Sequence, residues 1–97
     1  MTLISHITSS LVDTEITLSG WVQNIRSSGK VAFVELRDGS GYIQCVAEPQ
    51  FLGESFDEFA ALGQESSLSI TGIVSKHPKK DEYELQVRSF HIFWLAK

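Results

Sequence analysis

The stretch VAFVELRDGSGYIQCVA, residues 31–47, constrains this chain more than any other. Two short runs alternate between apolar and polar residues on either side of a glycine-bearing DGSG. Such alternation is the mark of a strand with one face buried, and the DGSG supplies the turn of a hairpin. Ala32, Val34 and Leu36 fall on one face of the first run; Ile43, Cys45 and Ala47 fall on one face of the second. The opposite face carries Val31, Phe33, Glu35 and Arg37, then Tyr42, Gln44 and Val46. A large aromatic ring among charges on an outward face needs an explanation.

The flanks extend the pattern. EITLSGWVQNIR, residues 15–26, is a long strand with Ile16, Leu18 and Val22 of one parity; Gly20 inside it points to a bulge or a sharp coil. Ahead of it, Leu3, Ile4, Ile7 and Leu11 suit a short helical turn. SSGK leads by a turn into the central hairpin. After Pro49 the period changes: Leu52, Phe56, Phe59, Ala60 and Gly63 have helical spacing over residues 50–63. SLSITGIVSK, residues 67–76, is a fourth strand with Leu68, Ile70 and Val74 inward and a second interior glycine, Gly72. HPKKDE is a polar loop. YELQVRSFHIFWL, residues 83–95, is a long fifth strand whose parity changes near Ser89, where a bend is expected.

The order β-β-β-α-β-β predicts an all-β fold, residues 1–97 forming one domain. It fits a small, partly open five-stranded OB-fold barrel with one helix between strands three and four. Other small barrels or an α+β sandwich are less well matched to a single helix at that place. With 97 residues, there is room for one small core. The lone Cys45 excludes an internal disulfide and suits a reducing, cytoplasmic setting. No apolar run reaches membrane-spanning length, and the start lacks the pattern of a secretory signal.

The net charge of −4 argues against a general binder of nucleic acid, so any such role must rest on a local patch. In small OB barrels, oligonucleotides commonly meet the outer face of strands one to three. Its candidates here are Gln23, Arg26, Phe33, Glu35, Arg37, Tyr42 and Gln44. An aromatic ring there could stack on an unpaired base, an amide could hydrogen-bond a base edge, and an arginine could meet phosphate. Each also has a structural reading: Phe33 packed under a loop, Gln44 solvated, and Arg26, Lys30 and Arg37 ordinary surface charges. Lys76, Lys79 and Lys80 read as a solvated loop, and Trp21 and Trp94 as core or interface. No catalytic residues are assigned. Cys45 is inward, His6, His77 and His91 lack metal-ligand spacing, and no metal site is expected.

In order along the chain stand G-W-V, an arginine, G-K-x-x-F, L-R-D-G and G-x-x-Q. This frame resembles the N-terminal anticodon-binding domain of class IIb aminoacyl-tRNA synthetases. ALGQESSLSITGIV and YELQV resemble the bacterial asparaginyl members. The resemblance covers nearly the whole chain. It implies that Phe33 stacks on the central anticodon uridine, that Gln44 reads that uridine and that Arg26 binds nearby. Lys30 and Arg37 join as RNA-facing cations. A carboxylate of strand five helps read the first anticodon base in aspartyl members; the matching residue here is Gln86, with Glu84 close by. The implied partners are a tRNA anticodon loop with a central U and the catalytic domain of the same enzyme, a homodimer when full-length. ATP and Mg would belong to that catalytic domain, which these residues lack, so this chain has no cofactor and no aminoacylating activity of its own. An isolated domain, a free-standing relative and a structural or assembly OB module are the readings left open.

Overall fold

The computed structural model describes residues 3–96. Five strands follow in order: β1 (Glu15–Ser27), β2 (Ala32–Arg37), β3 (Tyr42–Ala47), β4 (Ser67–Lys76) and β5 (Tyr83–Trp94). They close into a barrel in the spatial order β1-β2-β3-β5-β4. The expected barrel was partly open; here β3 and β5 complete the circuit in parallel. They do so over three residue pairs only, Gln44 with Glu84, Cys45 with Leu85 and Val46 with Gln86.

The alternation seen in the sequence is the alternation of burial. Along β2 the inward residues Ala32, Val34 and Leu36 are fully buried, and along β3 Ile43, Cys45 and Ala47 meet them. Leu18 and Val22 of β1, Leu68, Ile70 and Val74 of β4, and Leu85 and Val87 of β5 fill the rest of the interior. Sequence separation in these contacts is large, as expected of a small barrel whose strands pair far along the chain.

The helical segment after β3 comes in two pieces, α1 (Pro49–Leu52) and α2 (Ser55–Ala60), where one continuous helix was expected. Gly53 separates them at φ 55° and ψ −127°, a conformation essentially restricted to glycine. The helical spacing of apolar residues survives the break because the second piece re-aims Phe56 and Phe59 at the barrel end. Phe59 is fully buried and meets the Phe90 ring edge-on at 5.1 Å.

Both interior glycines mark close approaches of backbone, and Gly72 also stands at a register shift. A Cβ at Gly20 would lie 2.2 Å from the Arg37 carbonyl oxygen, and one at Gly72 would lie 2.3 Å from that of Gln86. The bulge of β1 falls instead at Gln23, where pairing with β2 steps from Val22–Leu36 to Asn24–Glu35. In β5 the register with β4 skips Arg88, passing from Thr71–Ser89 to Gly72–Val87. That accounts for the parity change expected near Ser89. Trp21 and Trp94 are not core: they are 44% and 60% exposed.

Asp38 fastens the chain start to the β2–β3 turn. Its Oδ2 accepts from the Ile4 amide at 2.8 Å, and its Oδ1 accepts from the Ser40 amide at 2.8 Å and hydroxyl at 2.6 Å. Burial works to raise its pKa, but the bonds from Ile4, Ser40 and Gly41 outweigh it, leaving the carboxyl below the ordinary 3.8. The stability it contributes is therefore present above that ordinary value and lost as pH falls through the lower folded value. Asp38→Asn is expected to be less stable than the parent near neutrality, with the gap closing below about pH 4. Urea titrations across a pH series check this; a gap that stays constant into acid would refute it.

Candidate nucleic-acid interface

The outer face of β1, β2 and β3 gathers three of the residues singled out above. Arg26 pairs in register with Phe33 across β1 and β2, and its guanidinium carbon stands 5.4 Å from the ring centroid. Arg26 Nη2 is 3.5 Å from Gln44 Oε1. Phe33 and Gln44 are half-buried, and Arg26 is exposed. The bulge at Gln23 makes this cluster possible. The inward parity of Leu18 and Val22, continued unbroken, would turn Arg26 into the core; one extra residue turns it outward beside Phe33.

Glu35, the acid on this face, accepts a hydrogen bond from Gln23 Nε2 at 2.5 Å. Its partner is thus the side chain of the bulged residue. Gln44 in turn donates through Nε2 to Glu84 Oε2 at 2.5 Å, across the parallel β3–β5 pairing. Beside this row opens a cleft of about 500 Å³, lined by Arg26, Glu35, Tyr42, Gln44, Tyr83 and Glu84 among others. The face offers a flat ring, an amide with free hydrogen-bonding capacity and a guanidinium within one small area. That combination can stack a planar heterocycle and hydrogen-bond its edge.

The remaining candidates lie apart from this cluster. Arg37 is ion-paired with Glu65 at 2.8 Å and lies over Trp21, 5.7 Å from its ring. Both partners of that pair are partly exposed, so it contributes about 0–1 kcal/mol. Lys30 is exposed in the β1–β2 turn. Gln86 shares the outward face of β5 with Glu84 but donates to Ser75 Oγ at 3.1 Å, toward β4. Lys76 is paired with Asp81 at 2.6 Å in the β4–β5 loop. Glu84 is the residue that sequence reasoning undervalued. Its parity with Gln86 was visible, but its contact with Gln44 depends on the β3–β5 register, which no local pattern encodes. Cys45 is fully buried, and burial pushes its thiol far up, which removes it as a nucleophile near neutral pH.

Known proteins match the chain over most of its length. Residues 16–93 match the tRNA anticodon family of OB-fold nucleic acid binding domains. An asparagine–tRNA ligase from Desulforamulus reducens is 40% identical over 97 residues, which is 99% of this chain and 22% of that protein. The crystal structure of asparaginyl-tRNA synthetase from Pyrococcus horikoshii complexed with asparaginyl-adenylate superposes with a TM-score of 0.83 at 29% identity. That match covers 90% of this chain and 20% of the archaeal one. The aspartyl-tRNA synthetase of Entamoeba histolytica gives a TM-score of 0.88 at 25% identity, covering 99% of this chain and 21% of that one. The chain thus spans about a fifth of the length of each of these relatives.

Proposed function

The chain belongs to the anticodon-binding family of OB-fold nucleic acid binding domains, and from that premise we propose that its β1–β2–β3 face holds the anticodon loop of an asparagine tRNA. The observation that carries this reading is the Arg26–Phe33–Gln44 cluster on that face. Phe33 stacks on the central anticodon base, a uridine. Gln44 bonds the base-pairing edge of that uridine, and Arg26 closes over the base or meets its phosphate. Lys30 adds a cation along the backbone path. Arg37, held by Glu65, contributes mainly to the domain itself. Gln86 and Glu84 border the position of the first anticodon base.

In the longer proteins that the chain resembles, this domain would select the tRNA for a ligase that attaches asparagine. The ATP and magnesium of that reaction, and the surfaces of a homodimer, would lie in the larger part of such an enzyme. A cytoplasmic setting accompanies this role and suits the single buried thiol. Glu35 and Glu84 on this face each accept a hydrogen bond from a side-chain amide, that of Gln23 and that of Gln44.

NMR shift mapping with an anticodon stem-loop tests the assignment. The largest shifts are expected at Arg26, Phe33 and Gln44, with little change at Trp21 and Arg37. Shifts centred on Trp21, or none at saturating RNA, would remove this face from consideration. A dimer indifferent to RNA would favour an assembly module instead.

A further inference from the structure

Gln44 is set between two groups of fixed hydrogen-bonding character. Glu84 Oε2 lies 2.5 Å from its Nε2, and Arg26 Nη2 lies 3.5 Å from its Oε1. A carboxylate only accepts and a guanidinium only donates, so the two partners favour the same orientation of the amide. The flipped amide would turn its oxygen toward the Glu84 carboxylate and its NH2 toward the Arg26 cation. The other carboxylate next to Gln44 in register, Glu35, is bonded to Gln23 Nε2, whereas the Gln44 amide is bonded to Glu84 and Arg26.

We infer that Glu84 is a positioning residue that locks the Gln44 amide in the orientation that accepts uracil and turns away cytosine. This rests on the reading of the β1–β2–β3 face as the base-binding surface. Uracil offers an N3–H donor beside the O4 acceptor. In the locked orientation Oε1 accepts from N3–H, while the Nε2 proton not used by Glu84 donates to O4. Cytosine offers the reverse, an N3 acceptor beside an NH2 donor. Pairing with it requires the flipped amide, which Glu84 opposes. The specificity of the face then lies one residue behind the side chain that touches the base, on a different strand.

Glu84→Gln is the discriminating variant, because it keeps the shape and can donate or accept toward either orientation of Gln44. Affinities of the 97-residue chain would be measured for two stem-loops that differ only in a central U or C. The parent is expected to prefer U, and Gln44→Ala to bind both weakly and alike. Glu84→Gln is expected to lose about tenfold of the U-over-C ratio, mainly by gaining affinity for C. In the free chain, the Gln44 side-chain amide protons should be widely split in the parent and move together in Glu84→Gln. If Glu84→Gln keeps both the parental ratio and the parental splitting while Gln44→Ala loses the preference, Glu84 has no positioning role, although the face stands. If the parent binds both loops alike, the reading of the face falls, and this inference with it.

Discussion

Phe33→Ala is expected to weaken binding to an anticodon stem-loop by about ten- to a hundredfold, the equivalent of roughly 1–3 kcal/mol for one stacked base. The loss should fall on binding and not on folding. Phe33 points away from the interior that Ala32, Val34 and Leu36 fill from the other side of β2. A thermal midpoint within a few degrees of the parent should accompany the lost affinity. Phe33→Tyr, which keeps the ring, should retain most of the binding. Arg37→Ala is the matched control: it removes a cation from the same strand but one engaged with Glu65 and Trp21. Fluorescence anisotropy with a labelled stem-loop measures all three. If Arg37→Ala costs more affinity than Phe33→Ala, the base-stacking site lies elsewhere on the barrel.

Gly72→Ala is expected to destabilise the domain by about 2–3 kcal/mol, as forced overpacking commonly does. For a domain of this size, that lowers the thermal midpoint by about 10–20 °C. The cause is a close approach of backbones. The new Cβ would sit 2.3 Å from the Gln86 carbonyl oxygen and 2.9 Å from its carbon, and a carbonyl in a strand cannot rotate away as a side chain can. The sign is informative. Without the contact, replacing glycine by alanine would stabilise by about 0.4–1 kcal/mol through the unfolded chain. Calorimetry therefore separates the two cases cleanly, since a midpoint equal to or above the parent's would show that β4 and β5 do not approach so closely at this point.

Much of the barrel was legible because burial and alternation are the same fact in a strand with one wet face. Val34, Cys45 and Leu68 could each be placed inside from neighbours two residues away. The helical segment was legible in its apolar spacing but not in its break, because Gly53 acts through a backbone angle and not through a pattern of hydrophobicity. Arg26 shows how a correct placement can rest on incomplete grounds. The parity of Leu18 and Val22 pointed it inward, and only the bulge at Gln23 reconciles that parity with an outward arginine. The partner of Glu35 follows from the same bulge, which sets Gln23 beside it as a donor. The Gln44–Glu84 contact depends on two strands 40 positions apart meeting in one register. Nothing within either strand specifies that register. The exposed tryptophans follow the same logic: a large apolar residue suggests burial, but only the closed circuit of strands decides which side of the wall it occupies.

The join between β3 and β5 is the shortest in the barrel, and the amide proposed to meet the base is part of its first pair. Recognition and closure therefore share hardware. A substitution at Gln44 or Glu84 made to change which base is preferred also edits the seam that holds the cylinder shut. Attempts to retarget this face should show changes of specificity and of stability arriving together, and a library selected for new ligands would do best to leave that pair fixed and vary β1 and β2.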